Sequence, residues 1–358
     1  MLITIDGRPV TAYPGDTVFT AAKRAGATIP GLCNSEHLAP FGSCRLCVCE
    51  VDGQKGTPAS CTTPVQAGMA VRTQSEQLTR LRRNVTELLL SEQPKDGTLP
   101  AALQELARSV GLDRIRYRKP AARLQVRDSS NPFFIFDNAI CISCARCVRA
   151  CDEIQGTFAL TMVGRGFGAR PMAGTGFYGE ASSAFATSNC VSCGACVKEC
   201  PTGALTERRV SELGRPANTV RTTCAYCGVG CTFDAGLRDG QVVTMAPADD
   251  GPSNHGHACM KGRFGWTYIY AEDRLKTPML RTGSTWQAIS WDAALDRLAY
   301  EFTRIKTEFG PDALAAISSS RGTNEENYLF GKFIRCVMGT NHIDNCARVC
   351  HSATVTGM

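Results

Sequence analysis

Cysteine is the residue type with the most chemical potential in this chain. There are 20 cysteines among 358 residues, and most of them recur at gaps of two or three residues. Thiolates are soft, anionic ligands that suit zinc and iron–sulfur clusters. So many cysteines in a small secreted domain would predict disulfides, but this chain is long and lacks an N-terminal export signal. The spacing therefore favours metal sites.

The first group of cysteines has the spacing C-x10-C-x2-C-x13-C. It predicts one [2Fe-2S] cluster, and a four-cysteine zinc site is the alternative. The ten-residue first gap resembles the [2Fe-2S] module of complex I-like and hydrogenase-like electron-transfer subunits. Cys49 lies two residues after Cys47 and is interpreted as a packing residue, since four ligands are already present. The first site comprises Cys33, Cys44, Cys47 and Cys61.

The next eight cysteines repeat one pattern, C-x2-C-x2-C-x3-C, about 50 residues apart. This is the bacterial two-cluster ferredoxin run, in which the fourth cysteine of each run binds the other [4Fe-4S] cluster. The spacing therefore predicts two crossed sites. The second site comprises Cys141, Cys144, Cys147 and Cys200. The third site comprises Cys190, Cys193, Cys196 and Cys151.

The fourth group has the spacing C-x2-C-x3-C-x27-C and is followed by Met-Lys-Gly-Arg. Spacing alone leaves zinc and a third [4Fe-4S] cluster open. The stretch resembles the N-terminal [4Fe-4S] motif of the molybdopterin oxidoreductases of the dimethyl-sulfoxide-reductase superfamily. The resemblance implies that Lys261 lies between cluster and pterin on the electron path; the alternative is an ordinary surface lysine. The fourth site comprises Cys224, Cys227, Cys231 and Cys259.

The segment Asn-Cys-Ala-Arg-Val-Cys-His-Ser at 345–352 resembles the formate dehydrogenase branch of that superfamily. The resemblance implies that Cys350 binds molybdenum or tungsten, held by a bis-molybdopterin guanine dinucleotide. His351 would orient the substrate or manage its proton. The segment at 323–328 also resembles the family and places Asn324 and Glu325 at the cofactor.

The order of the modules resembles the alpha subunit of NAD-dependent formate dehydrogenases. The implied function is oxidation of formate to carbon dioxide, or the reverse, with electrons leaving through the clusters to a partner flavin subunit that reduces NAD. No nucleotide-binding fingerprint is present, so NAD is expected on the partner. The implied location is the cytoplasm.

Two other functions fit much of the sequence. One is a non-catalytic electron-transfer subunit resembling the large iron–sulfur subunit of complex I. The other is a different molybdopterin oxidoreductase, such as an assimilatory nitrate reductase. Molybdenum or tungsten in the purified complex would argue against the electron-transfer subunit. Substrate assays would distinguish another molybdopterin oxidoreductase from a formate dehydrogenase.

The sequence departs from these relatives in two places. Relatives usually carry a cluster bound by one histidine and three cysteines after the [2Fe-2S] module, but residues 91–117 contain neither residue type. That cluster is therefore expected to be absent. The family's catalytic domain also continues well beyond the position of Met358, so we expect this sequence to be a fragment that is not active alone.

Charge and hydropathy exclude two partner classes. The formal net charge is +6, but four clusters of about −2 each bring the loaded chain to about −2. The basic balance therefore predicts no nucleic-acid partner. The sequence contains no uncharged run of 18 apolar residues, so no membrane span is predicted.

These sites imply an α+β multidomain protein. The predicted domains are a β-grasp [2Fe-2S] module at 1–78, a helical connector at 79–130, a two-cluster [4Fe-4S] ferredoxin module at 131–214, a molybdopterin-type [4Fe-4S] domain at 218–276 and the start of an α/β pterin-binding domain at 277–358. Within the first, we expect a hairpin turning at Asp6-Gly7, a helix over 18–25 and a strand near 69–73.

Helices are also expected further along the chain. The periodicity predicts helices over 78–92, 101–110, 291–309 and 328–338, and strands over 313–319 and 341–345. On the helix over 78–92, the apolar stripe comprises Leu78, Leu81, Val85, Leu88 and Leu89. The glycine-rich stretch 164–179 is expected to be a loop. His255 and His257 are interpreted as loop residues, and Cys336 and Cys346 as packing residues.

Overall fold

The computed structural model describes residues 1–94, 99–117, 127–174 and 184–358. These residues form two compact units. The first contains Met1–Asn218 and Leu237–Thr244, and the second contains Thr219–Gly236 and Met245–Met358. The chain is α+β throughout, as predicted.

The N-terminal module is a four-stranded mixed sheet with one helix on its face. Its elements are β1 (Leu2–Ile5), β2 (Arg8–Thr11), α1 (Val18–Arg24), β3 (Glu50–Val51) and β4 (Ala70–Arg72), with strand order β2-β1-β4-β3. The predicted hairpin is confirmed: Asp6 and Gly7 have φ of 47° and 78°, as a tight hairpin turn requires. β1 then runs parallel to β4, which completes the β-grasp.

This module has a continuous apolar core. One face of the sheet packs on α1, whose residues Val18, Ala21 and Ala22 are fully buried beside Ile3 and Val71. A capping box begins α1, because the side chains and backbone amides of Thr17 and Thr20 hydrogen bond reciprocally. The cysteine loop between α1 and β3 contributes Cys47 and Cys49 to this core, and the segment between β3 and β4 contributes Cys61.

Two helices follow, α2 (Glu76–Ser91) and α3 (Ala101–Ser109). Both were predicted. Of the predicted apolar stripe of α2, Leu78 is buried and Val85 and Leu89 pack on a core cluster, but Leu88 is 44% exposed, so its place in the stripe is wrong. The buried face also includes Arg82, which hydrogen bonds to buried carbonyls of the cysteine loop.

The ferredoxin-type module contains a three-stranded sheet of order β5-β6-β9 and a separate hairpin, β7-β8. Its elements are β5 (Arg127–Asp128), β6 (Phe134–Asp137), α4 (Arg146–Arg149), β7 (Leu160–Val163), β8 (Arg170–Ala173), α5 (Ala195–Glu199), β9 (Leu205–Glu207) and α6 (Arg208–Leu213). A π-helical turn, Ala150–Gln155, continues α4. Phe134 packs edge-to-face on Phe185, with ring centroids 5.0 Å apart.

The glycine-rich stretch at 164–179 is only partly a loop, which corrects the prediction. Its residues 170–173 form β8, which pairs with β7 from Val163↔Arg170 onward. Positive φ at Gly164 and Gly166 provides the reversal between the two strands. The remainder of the stretch from residue 175 lies outside the described residues.

The chain continues with strands β10 (Asn218–Thr223), β11 (Thr232–Arg238) and β12 (Gln241–Pro247), which form one sheet in that order. The elements after this sheet are α7 (Met260–Phe264), β13 (Met279–Thr282), β14 (Thr285–Ala288), α8 (Trp291–Phe309), β15 (Ala316–Ser318), α9 (Asn324–Phe333), β16 (Ile343–Asn345), α10 (Ala347–Cys350) and α11 (Ser352–Gly357). β15 and β16 are parallel, so residues 291–345 begin an α/β arrangement, as predicted.

The helices of this part begin at side-chain caps. Ser290 caps α8, which has the bounds that the periodicity predicted. Thr323 and Glu326 form a capping box at α9, so this helix begins four residues earlier than predicted. A π-helical turn, Ile334–Met338, follows α9. Within the described residues, no helix has the length and apolarity required to cross a bilayer.

Candidate functional site

The four thiols of the first site form a chain of contacts, Cys44–Cys33–Cys61–Cys47. Hydrogen bonds from Cys44 and Cys61 lower the pKa of the Cys33 thiol to about 2. A hydrogen bond from Cys61 likewise lowers the pKa of Cys47 to about 6. The pKa values of the two donors, Cys44 and Cys61, are raised because their protons are shared with these neighbours. The fold therefore brings the four sulfur atoms of the predicted site together.

A repeated backbone turn shapes three of the cysteine loops. The residue after the second cysteine of each of the first three cysteine groups has positive φ: 57° at Arg45, 60° at Ala145 and 77° at Gly194. This left-handed conformation is uncommon for a residue with a Cβ. In the first loop, the amides of Cys44 and Leu32 donate to the sulfurs of Cys33 and Cys44 at 3.3 and 3.5 Å. Such donors stabilise the negative charge of a cluster.

Three further residues surround the first site. The Ser60 hydroxyl is fully buried, and its hydrogen bond to the Cys47 thiol contributes to the lowered pKa of that thiol. Cys49 is 0% exposed, and burial raises its pKa to about 11, which agrees with a packing role. Arg82 donates from Nε to the Leu46 carbonyl at 3.1 Å and from Nη2 to the Val48 carbonyl at 2.7 Å.

The structure brings the second and third sites together in the crossed arrangement. Burial and the neighbouring thiols of Cys144 and Cys200 raise the pKa of Cys141 to about 12. Burial and the thiols of Cys193 and Cys151 raise the pKa of Cys190. Each run therefore delivers its last cysteine to the other run. One small cavity is lined by all four cysteines of the third site: Cys151, Cys190, Cys193 and Cys196.

Backbone amides also point at the sulfurs of these two sites. The amide of Ser143 donates to Cys141 and the amide of Ser192 to Cys190, both at 3.3 Å. The sulfur of Cys151 accepts from Ala159 at 3.2 Å, and the sulfur of Cys200 from Leu205 at 3.4 Å. The two halves of the sequence repeat thus use the same local geometry.

The fourth site lies at the surface of the second unit. Cys227 and Cys259 are exposed, and burial together with Cys224, Cys227 and Cys259 raises the pKa of Cys231. A Cβ at Gly262 would lie 2.9 Å from Phe233 and 3.1 Å from the Cys224 sulfur, so only glycine fits beside this ligand set.

Lys261 lies on the first turn of α7 and is exposed. His255 and His257 lie in the preceding loop, as predicted. The side chain of Asn254 organises that loop: its Oδ1 accepts from the Thr232 amide at 2.8 Å, and its Nδ2 donates to the His257 carbonyl at 2.9 Å.

The predicted pterin-binding residues lie near the carboxyl ends of the parallel strands β15 and β16. Cys350 is the last residue of α10, and both Cys350 and His351 are exposed. Asn324 and Glu325 are exposed on the first turn of α9. Ligands of open α/β sheets bind at this edge, so the placement agrees with a cofactor site.

The remaining cysteines of this region differ from one another. Cys346 joins two loops, because its sulfur accepts from the Ser320 amide at 3.3 Å, and the hydrogen bonds from Ser320 lower its pKa. Cys336 is exposed, so the expectation that it packs is wrong. It lies two residues from each of the buried Ile334 and Met338, on the opposite side of the helical turn.

The donor sets fit the cofactors that the spacing predicts. Each site gathers four soft sulfur donors, and three of the sites also supply amide N–H groups to sulfur. No three His, Cys, Asp or Glu side chains among the described residues converge closely enough to hold a single ion; a cluster distributes its thiolates over several iron atoms. Ligation by each named cysteine stays a prediction.

Sequence reasoning missed the arginines around the first site. Arg82, Arg146 and Arg149 all donate to carbonyls of the first cysteine loop. One signal was available for Arg82, which lies four residues after the buried Leu78 and four before Thr86 on one helix face. Arg146 and Arg149 lie inside the second cysteine run, but their partners are more than 100 residues away in the sequence.

Four family models match consecutive parts of the chain. Residues 1–76 match the 2Fe-2S iron–sulfur cluster binding domain, and residues 140–204 match the 4Fe-4S dicluster domain. Residues 217–271 match the molybdopterin oxidoreductase Fe4S4 domain, and residues 274–358 match the molybdopterin oxidoreductase model. The fold class and the order of modules are therefore confirmed.

Curated relatives extend over the whole chain. It is 35% identical to the NADPH-Fe(3+) oxidoreductase subunit alpha of Geobacter sulfurreducens over 98% of this chain and 41% of the relative. It is 29% identical to a putative formate dehydrogenase of Staphylococcus haemolyticus over 100% of this chain and 40% of the relative. The chain thus spans about two fifths of the length of these relatives.

A solved structure resembles part of the chain. A chain of an NAD⁺-reducing [NiFe]-hydrogenase in the H₂-reduced state is 33% identical, with a TM-score of 0.52. The match covers 58% of this chain and 87% of the hydrogenase chain. More than half of this chain is therefore similar to a chain of that hydrogenase.

Proposed function

We propose that this chain, whose residues 217–271 and 274–358 match molybdopterin oxidoreductase models, forms the cluster-binding and substrate-proximal part of a cytoplasmic formate dehydrogenase. In this proposal the sixteen cysteines of the four sites hold one [2Fe-2S] and three [4Fe-4S] clusters. Cys350 holds molybdenum or tungsten with a bis-molybdopterin guanine dinucleotide, and formate is the substrate. A separate flavin-binding subunit passes the electrons to NAD.

One observation carries this proposal. Cys350 places an exposed sulfur at the carboxyl edge of the β15–β16 pair, within the residues that match the molybdopterin oxidoreductase model. A molybdenum or tungsten ion bound there supplies a two-electron acceptor whose soft sulfur ligands suit a metal that changes oxidation state. His351 follows directly and offers an imidazole for orienting a carboxylate or accepting a proton near neutral pH.

The other residues of the proposed pterin site have supporting positions. Asn324 and Glu325 are exposed at the N-terminus of α9, and Glu326 is occupied by the capping box. The sulfur of Cys346 and the Ser320 amide hold the loops after β15 and β16 together. This fixed edge supports Cys350 without using the Cys350 thiol, which leaves the thiol accessible for a ligand.

The test uses the full-length protein purified with its partner subunits. We expect the wild-type protein to contain molybdenum or tungsten. We also expect formate to reduce its clusters, which is measured as bleaching of their visible absorption. Cys350→Ser should keep the iron content but lose the formate-dependent bleaching. Cys336→Ser, an exposed cysteine outside the proposed sites, is the matched control and should retain both. Formate-dependent bleaching in Cys350→Ser would contradict the proposed role.

A second function has its own support. The 35% identity to an NADPH-Fe(3+) oxidoreductase subunit and the hydrogenase similarity favour a subunit that only carries electrons from a nicotinamide-oxidising partner. This alternative expects cluster reduction by NADH or NADPH through the partner, no response to formate, and no molybdenum or tungsten. The same preparation therefore separates the two functions.

A further inference from the structure

Two charged side chains of the second cysteine run reach the loop of the first site. Arg149 lies two residues after Cys147 and two before Cys151. Its Nη1 donates to the carbonyl of Cys33 at 3.2 Å, and its Nη2 donates to the carbonyl of Ala39. Arg149 thus lies between cysteines of the second and third sites in the sequence, and its guanidinium contacts a predicted ligand residue of the first site.

Glu153 completes this arrangement. Its Oε1 accepts from Nε of Arg149 at 3.1 Å, and its Oε2 accepts from the Ala39 amide at 2.7 Å. Ala39 thus receives a hydrogen bond at its carbonyl and gives one at its amide. We call Arg149 and Glu153 together the clamp.

Arg149 of the clamp is buried, Glu153 is exposed, and a second charged pair involves Arg146 of the same helix. Arg149 is only 7% exposed, and its guanidinium lies 5.2 Å from the centre of the Phe41 ring. Arg146 donates to the Leu32 carbonyl at 3.5 Å and is paired at 2.7 Å with Glu199, which is 2% exposed. Buried charges interact more strongly than exposed ones, because little water screens them.

We propose that the clamp is a positioning pair that fixes the first ligand loop against the second cysteine run and sets the reduction potential of the first site. This inference rests on the cluster-binding part of the proposed function. The clamp makes and breaks no bond and moves no proton. Arg149 favours an added electron at the adjacent site through its positive charge, and Glu153 opposes that effect through its negative charge.

The positional half of the proposal is tested in the metal-free protein. Arg149→Met should accelerate amide hydrogen exchange at Ala39 and its neighbours about tenfold, since a hydrogen bond to a charged group is lost. Arg24→Met is the control. Arg24 also forms a two-contact ion pair, with Asp16, in the N-terminal module that contains Ala39. Equal exchange in both variants overturns the positional role.

The electrostatic half is tested in the cluster-loaded, full-length protein by redox titration of the [2Fe-2S] signal in electron paramagnetic resonance. Arg149→Met should lower the equilibrium constant for reduction of the cluster about tenfold, which is a fall of about 59 mV in its one-electron reduction potential. Glu153→Gln should favour reduction, with a smaller rise in potential because water screens the more exposed Glu153. The double variant should return towards the wild-type potential, and Arg149→Lys should restore most of it.

The opposite signs distinguish this role from a purely structural one. Loosening of the loop would shift the reduction potentials of both single variants in the same direction, and that result overturns the proposal. Shifts in reduction potential no larger than that of Arg24→Met also overturn it. If the wild-type protein lacks the [2Fe-2S] signal, the cluster-binding part of the proposed function fails; if the signal is present without these shifts, only the clamp fails.

Discussion

Replacing Arg82 with methionine should open the first cysteine loop. Its guanidinium donates to the carbonyls of Leu46 and Val48, on either side of Cys47, at 3.1 and 2.7 Å. Each buried carbonyl left without a donor costs about 1–3 kcal/mol. Burial of the guanidinium is itself unfavourable, and it lowers the pKa of Arg82. Methionine removes this unfavourable contribution. The expected net loss of local stability is about 2–3 kcal/mol.

Native-state hydrogen exchange of the metal-free protein measures this loss where it occurs. The amides of Cys49 and Ser60 donate to the carbonyls of Pro58 and Cys47 at 3.0 and 2.9 Å, so both report on opening of the loop. A loss of about 2–3 kcal/mol corresponds to exchange that is about 30- to 150-fold faster.

The neighbouring Arg83 provides the matched control for this experiment. It forms an ion pair with Asp113 at 2.9 Å, and the two side chains are 45% and 85% exposed. Because exposed pairs contribute little, Arg83→Met should change exchange at the same amides less than about fivefold. If the Cys49 and Ser60 amides exchanged equally fast in Arg82→Met and Arg83→Met, the hydrogen bonds from Arg82 would not stabilise the loop.

The remaining predictions concern the fourth site and the first core. Gly262→Ala should lower the iron bound at the fourth site, because the new Cβ would lie 2.9 Å from Phe233 and 3.1 Å from the Cys224 sulfur, and overpacking costs about 1–3 kcal/mol. Gly228→Ala, whose Cβ would meet nothing within 4 Å, should keep that iron; equal losses in both variants would contradict the packing argument. Cys49→Ala should retain the iron and the [2Fe-2S] resonance signal, since this thiol packs in the core, and loss of the signal would make Cys49 a ligand.

Short-range patterns explain how much could be predicted from the sequence. The cysteine spacings, the hairpin at Asp6-Gly7 and the helix α8 depend on neighbours within a few residues, so each has a local signature. The crossed pairing of Cys151 and Cys200 was also predictable, because the run is a repeated motif with a fixed geometry.

The contacts that the sequence did not reveal are long-range and polar. Arg82 is buried because its partners are carbonyls of a loop more than 30 residues away, and a hydrophobic-periodicity argument assigns such a residue to the solvent face. Ser60 has the same character, since a buried hydroxyl has no periodic signature. A search for charged residues at i and i+4 from buried leucines would have found Arg82 but not Arg149.

The charges around the first site explain why these arginines lie there. An oxidised [2Fe-2S] cluster with four thiolates carries a net charge of about −2, which is costly inside a protein unless it is compensated. Hydrogen bonds from neighbouring thiols lower the pKa values of Cys33 and Cys47. The geometry of the site thus favours negative charge on its sulfurs. Arg82 and Arg149 approach it from different parts of the first unit, so the same side chains that hold the loop also balance the charge that a cluster would bring.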